Sequence, residues 1–282
     1  MIDIDDKVLN DLRGGFNLPA KPEILQALQN ELSKSEPELF AVANIIAADV
    51  GASAAVLKVI NSPAYGLART ITDIRQAVMF LGVTCITQLV TGYLLKNAFE
   101  QSKCCISLQQ FWDNAADISK AALVVGHYLK SSLPLENLQL LGLFHDAGIP
   151  AMAVKYPDYA EVIKLSIERP ERTLIDYEQQ KYPVPHTVVG YFLATSWHLP
   201  REICQMILRH HDVSYLEESE KNPQHAQTFA ALKLAENLCF EAKHFRSSAD
   251  WHLFKDKVMI ELNIHEDEYQ NLKDDVDEVF IG

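Results

Sequence analysis

Glycine and proline are scarce: 11 and 12 residues in a chain of 282, about 8% against a usual ~12%. So few backbone breakers exclude a turn-dense β sandwich and favour helices. Positive charge is in deficit as well. Twenty-five Lys and Arg face 38 Asp and Glu, for a net charge of −13. Such a surface repels a phosphate backbone, and no local basic patch offsets it, so nucleic acid is not an expected partner. Cysteine is sparse and unpatterned. Cys85, Cys104, Cys105, Cys204 and Cys239 form no CxxC pair, which excludes a thioredoxin-type motif and a zinc knuckle. An odd count suits a reducing compartment. The opening MIDIDDKVLNDL is acidic and lacks the basic and apolar regions of an export signal. The expectation is a cytoplasmic protein. Missing too are GxSxG, a P-loop, GxGxxG and HExxH, so the commonest hydrolase, nucleotide-binding and zincin patterns are excluded.

One run is long enough to raise the question of a membrane. Gln76–Leu95 carries no charge over 20 residues. Gly82 is expected to break it. Beyond the glycine, Thr84, Thr87, Gln88 and Thr91 share one helical face, and Val83, Ile86, Leu89, Val90 and Tyr93 lie on the other side. This pattern reads as a buried helix and not as a span, so no membrane partner is expected.

What is present is helical periodicity almost throughout. Apolar spacing predicts helices over 21–33, 40–48, 52–60, 74–81, 83–99, 108–129 and 135–148. Shorter ones follow between Pro170, Pro183 and Pro200, then 227–240 and a closing pair near 249–262 and 266–280. Ser53 and Asp73 are the candidate caps. The polar, cysteine-containing stretch 101–107 is the best boundary. The fold class is all-α in two helical lobes, residues 1–103 and 104–245, with an acidic helical extension over 246–282. Residues 261–282 hold eight acids and one lysine. That density reads first as a solvated helix face, and second as a docking or homodimer surface.

The residues with chemical potential are histidines of the second half. His145-Asp146 ends an apolar helix, His186 opens another, and His210-His211 ends a third. Neutral imidazoles and carboxylates are the usual ligands of Zn, Fe, Mn or Ni, and residues at the ends of packed helices can converge on an interior. In the first half, Asn61-Ser62-Pro63-Ala64-Tyr65-Gly66 reads as a helix stop. The alternative is an interaction loop of Asn61, Ser62, Tyr65, Arg69 and Arg75, an aromatic beside arginines being typical of binding hot spots. Cys204 reads as a small core residue.

These motifs resemble a known family. His145-Asp146-Ala147-Gly148 is similar to the HD dipeptide of HD-superfamily phosphohydrolases, and the order HD, His, HH to the HD-GYP branch. Leu18-Pro19-Ala20-Lys21-Pro22, Ile46-Ala47-Ala48-Asp49, Val59 to Gly66 and Ile74 to Gly82 resemble the HDOD domain, the HD-related output domain of bacterial signalling proteins. Glu178, His186, Gly190, Trp197-His198-Leu199-Pro200 and His210-His211 fit it too. The resemblance implies an N-terminal helical bundle packed on an HD-like helical domain, and usually no hydrolysis. It places Asn114 where a hydrolytic HD site has its early histidine, Glu236 where it has a late aspartate, and Ile149 where the HD-GYP branch has a lysine. The implied pocket is Asn114, His145, Asp146, His186, His210, His211 and Glu236. His145, Asp146, His186 and His210 would hold Fe, Mn, Ni or Zn only weakly, and no cofactor is required. The function so implied is non-catalytic signalling through a protein partner or small ligand. The alternative is a metal-dependent phosphohydrolase acting on a nucleotide, which another imidazole such as His127 in the empty slot would favour.

Overall fold

The computed structural model describes residues 15–281 apart from 17, 62–64, 66, 68, 130–132 and 170. The fold is all-α, and no strand occurs among the described residues. The chain divides into two compact units: Ala20–Ala98, and a larger one of Phe99–Gly282 with the described residues before Ala20.

The smaller unit holds α1 (Glu23–Leu32), α2 (Leu39–Ala47), α3 (Val50–Ile60) and α4 (Ile74–Lys96). Leu25 and Leu28 of α1, Val42 and Ile46 of α2, and Val56 and Ile60 of α3 are fully buried. The axes of α2 and α3 meet at 114°. The cap at that corner is Asp49, whose carboxylate accepts from Ala52 N at 2.8 Å, so α3 starts at Val50. Ser53, the expected cap, lies inside the helix and donates its hydroxyl to Ile46 O at 3.0 Å. A carboxylate suits the positive end of a helix better than a hydroxyl does. Asp73 caps α4 as expected, accepting from Arg75 N at 2.7 Å.

Ile74–Lys96 is long and apolar enough to cross a membrane by length and composition, and 56% of its most apolar window is buried. Gly82 interrupts it with φ 77° and ψ 165°, a conformation essentially reserved for glycine. The polar stripe beyond the break is exposed at Thr84 but turns inward after it. Thr87, Gln88 and Thr91 are buried along with Ile86 and Val90, and Thr91 donates to Thr87 O at 2.7 Å.

The larger unit continues with α5 (Leu108–Tyr128), α6 (Leu135–Phe144), α7 (Gly148–Lys155), α8 (Tyr159–Glu168) and α9 (Leu174–Lys181). After these come α10 (His186–Ser196), α11 (Arg201–Arg209), α12 (Pro223–His244), α13 (Trp251–Leu262) and α14 (Glu266–Ile281). Helix α12 packs on α5, α6, α13 and α14, and Phe229, Leu232, Leu234 and Leu238 are fully buried along it. The acidic α14 buries Tyr269, Leu272 and Val276 and exposes Glu266, Asp267, Asp274, Asp275 and Glu278. Its Tyr269 hydroxyl donates to Glu241 at 3.0 Å, and Lys273 pairs with the same carboxylate at 3.0 Å. The acids are therefore the solvated face of a helix anchored on α12. Cys204 is buried, and all five cysteines are free.

The helix expected over 135–148 is two helices. It stops at Phe144 and resumes at Gly148, leaving His145, Asp146 and Ala147 as a turn closed by Ala147 N to Phe144 O and Ile149 N to Asp146 O, both 2.9 Å. That turn positions the site.

Candidate metal centre

The donors come from helix ends. His145 is the C-cap of α6, with Asp146 next to it. His186 is the first residue of α10, and His210 is the C-cap of α11 with His211 following. Helices α7 and α10 meet backbone to backbone, because a Cβ on Gly148 would lie 1.9 Å from His186 O and 2.7 Å from Gly190 N. Only glycine permits this approach, and it brings the Asp146 turn against His186.

Asp146 Oδ1 lies 3.2 Å from His186 Nε2 and 3.2 Å from His210 Nε2, and these two nitrogens are 3.2 Å apart. With His211 they form a set of four donors, one atom each, all within 4.8 Å of one another. Ligands bonded to one ion at about 2.1 Å, at tetrahedral to octahedral angles, stand about 3.0–3.4 Å apart. The 3.2 Å triangle falls inside that window.

The second ring nitrogen of each imidazole is anchored. His186 Nδ1 faces Glu178 Oε2 at 2.7 Å, His210 Nδ1 faces Ile207 O at 2.7 Å, and His211 Nδ1 faces Asp250 Oδ2 at 2.9 Å. An acceptor at Nδ1 places the proton there and leaves the Nε2 lone pair for the centre, the usual outer support of a metal-bound histidine. Glu178 is itself fully buried. It also accepts the His186 backbone N–H at 3.2 Å and the Tyr159 hydroxyl. The residues present therefore fit a divalent Zn, Fe, Mn or Ni ion held by Asp146, His186, His210 and His211.

His145 turns to the other side of the same carboxylate. Its Nδ1 faces Leu141 O at 3.1 Å, and its Nε2 lies 3.2 Å from both Asp146 Oδ2 and Glu236 Oε1. That buried Nε2 makes no hydrogen bond of proper geometry. Glu236 reaches Lys233 Nζ at 2.8 Å, and Lys233 reaches Asp250 Oδ2 at 3.0 Å. The fourth member of the convergent set is thus His211 and not His145. Asn114, on α5, lines the same pocket, but its amide oxygen accepts from Lys243 Nζ at 2.9 Å. His127 is exposed near the end of α5 and does not line the pocket. Ile149 is buried.

The charges of the cluster govern one another. Burial works against a proton on His145, yet the Asp146 and Glu236 carboxylates outweigh it and hold the imidazole well above its ordinary value. Burial likewise opposes a proton on His186, and Glu178 and Asp146 lift it to about 10. His210 goes the other way, pushed down to about 3 by burial and by His211. Burial disfavours the charged Asp146 carboxylate, but His145 holds it well below the usual carboxylate range. Glu236 drops to about 2, with Lys233 and His145 outweighing burial. Asp250 is held down against burial by Lys233 and His211.

The first-half loop belongs to the smaller unit. Asn61 clamps it, donating to Leu57 O at 2.8 Å and Ile71 O at 2.7 Å while accepting from Ile71 N at 2.7 Å. Tyr65 is half-buried, and Arg69 and Arg75 are exposed. Ser62 lies outside the described residues. Glu178, Lys233, Lys243 and Asp250 join the site only through the fold. Of these, Glu178 alone has a sequence signal, as part of the family pattern eight residues before His186.

A model of the HDOD domain matches residues 18–213. A Treponema pallidum protein named only as uncharacterized is 24% identical over 211 residues, 73% of this chain and 40% of that protein. The chain therefore spans about two-fifths of the length of that curated relative. Two solved structures share the fold. An HDOD domain protein with unknown function from Geobacter sulfurreducens is 22% identical, with a TM-score of 0.64 and 97% of each chain covered. A Shewanella amazonensis protein named "Putative metal-dependent phosphohydrolase" is 22% identical, with a TM-score of 0.63 and 96% of each chain covered.

Proposed function

This chain belongs to the HDOD family, and from that premise we propose that it is a regulatory protein whose pocket binds a divalent transition metal and passes its state to a protein partner, without turning over a substrate. The observation that carries the metal is the 3.2 Å triangle of Asp146 Oδ1, His186 Nε2 and His210 Nε2. What supports the lack of turnover is Asn114, whose oxygen is engaged by Lys243, and the apolar Ile149 beside the HD turn. A protein partner is supported by exposed Leu39, Phe40 and Met79 on α2 and α4, which gather at one groove, apolar side chains of the kind that mark interaction surfaces. Leu39, Phe40 and Met79 line a groove of about 300 Å³ with Glu38 and Arg75. The proposed setting is the bacterial cytoplasm, consistent with five free cysteines.

A second reading, a metal-dependent phosphohydrolase, has one observation in its favour. A cavity of about 190 Å³ joins Asp146, His211 and Glu236 to Lys243, Arg246, Ser166 and Thr173, a lining able to seat a phosphate ester. A bound ion would supply Lewis acidity toward a phosphoryl oxygen there. Elemental analysis of protein purified without chelators, beside His186→Ala/His210→Ala, tests the proposal. Near-stoichiometric Fe, Mn, Ni or Zn is expected in the wild type and little in the variant, with no cleavage in a phosphodiester screen. Metal-free wild type overturns the metal assignment. Turnover that disappears in the variant replaces the regulatory reading with the enzymatic one.

A further inference from the structure

We propose that the centre takes a single divalent cation, on Asp146, His186, His210 and His211, and that Lys233 and Lys243 hold the place of a second. The inference rests on the metal reading above and adds the number of ions and what sets it.

The two oxygens of Asp146 face two donor sets. Oδ1 lies 3.2 Å from His186 Nε2 and from His210 Nε2, and Oδ2 lies 3.2 Å from His145 Nε2. A carboxylate so placed could bridge two cations, and the unbonded, buried Nε2 of His145 marks where the second would sit. The two sides differ in what already neutralises them. The first offers three imidazoles with anchored Nδ1 atoms. The second offers His145, Asp146 Oδ2 and Glu236 Oε1. Glu236 is already paired through its other oxygen, 2.8 Å from Lys233 Nζ.

Lys233 is only 2% exposed. It also bonds Asp250, the carboxylate that anchors His211. One buried ammonium therefore neutralises two carboxylates at once, hydrogen-bonding Asp250 and forming an ion pair with Glu236. The amide oxygen of Asn114, which lines the same pocket, faces a second ammonium. Lys243 Nζ lies 2.9 Å from it and 2.8 Å from Asp117 Oδ2. A divalent ion entering beside Glu236 would stand next to a fixed positive charge in a poorly hydrated interior, where like charges repel strongly.

A competing cause for a single ion is plain shortage of ligands, since Asn114 offers no imidazole. Metal loading of the full chain separates the two. Metal-stripped protein is loaded with excess Mn²⁺, passed through gel filtration, assayed for metal and examined by electron paramagnetic resonance. Wild type is expected to keep one equivalent with the six-line signal of an isolated Mn²⁺. Lys233→Met is expected to keep two, with the broadened signal of a coupled pair. Asn114→His, an exposed position, is expected to stay at one. Lys233→Gln drops the charge but keeps a donor for Glu236, and serves if the methionine variant does not fold. Two equivalents in wild type overturn the inference and leave the metal reading standing. Two in Asn114→His with one in either folded Lys233 variant overturn it in favour of ligand shortage. No metal in any variant overturns the metal reading and this inference with it.

Discussion

Metal binding at this centre has to displace a proton from His186. Without metal, His186 sits between Glu178 at Nδ1 and Asp146 at Nε2, and it holds its proton up to about 10. His210, pushed down to about 3, carries none at neutral pH, and Asp146 is already a carboxylate. Of these three ligands only His186 has a proton for a metal to expel, from Nε2, while Nδ1 keeps its own on Glu178. At pH 7, removing a proton held at about 10 costs about 4 kcal/mol at ~1.36 kcal/mol per pH unit. The apparent dissociation constant should fall about tenfold for each unit of pH between 6 and 8. Competition against a chelating dye measures it, and calorimetry in two buffers of different protonation enthalpy counts the released proton directly. The sign is opposite for the metal-free protein. His186 is raised above its ordinary 6.5, so its stabilisation is complete below that pH and is lost as pH rises through about 10. Metal-free melting temperature should therefore fall over that window while the gain from metal grows. A slope of zero would refute a protonated His186 in the metal-free protein. A slope of two would mean that a second imidazole of the cluster also gives up a proton.

The remaining predictions concern the supports of the site and the fold. Glu178→Gln removes the carboxylate behind His186. It should weaken metal binding about 10- to 100-fold and flatten the pH slope, because His186 then holds its proton less tightly; an unchanged slope would make Glu178 a packing residue only. Gly148→Ala drives a Cβ onto the backbone of His186 and Gly190, and should cost about 2–3 kcal/mol in urea unfolding, the upper range for overpacking; a neutral result would mean that α7 and α10 can separate. Gly82→Ala meets no atom within 4 Å of its Cβ, so its whole cost is backbone strain, about 1–3 kcal/mol by denaturant titration; no loss would show that the break in α4 is free to relax.

The sequence carried the helices because their apolar period repeats over many residues, and a single misplaced polar group does not hide it. Boundaries were less legible. Asp49 and Ser53 are both good caps, and only the corner between α2 and α3 shows that the carboxylate takes the role while the serine bonds backward to Ile46. By sequence the HD turn merges into one helix with its apolar run, since leucine spacing continues up to Phe144 and nothing in the local pattern reveals the close approach of Gly148 to His186. The histidines were legible as a group but not by side of the carboxylate. His145 adjoins Asp146 in sequence yet faces Oδ2, whereas His186 and His210 face Oδ1. Asp250 left no sequence signal, because it lies 39 residues from His211 and acts only through the packing of α13 on α12.

The origin of the donors bears on what a metal could do in a protein of this kind. Asp146 follows the end of α6, His186 opens α10, and His210 and His211 close α11. One ion on that set would tie three helix termini at a single point. It would also relieve the crowding of Asp146 between two imidazoles whose nitrogens are 3.2 Å apart. Helix ends are the parts of a bundle that fray first and whose orphan groups depend most on local partners. Occupancy would therefore change how firmly α10 and α11 are held, and α10 is packed on both α7 and α11. A catalytic centre gains little from such leverage over its scaffold. A regulatory one depends on it, because a ligand can shift a structural equilibrium only through contacts that differ between the two states. Hydrogen exchange at the first turn of α10, with and without metal, reads that difference directly. Equal exchange in the two states would remove the link between occupancy and packing on which the regulatory reading depends.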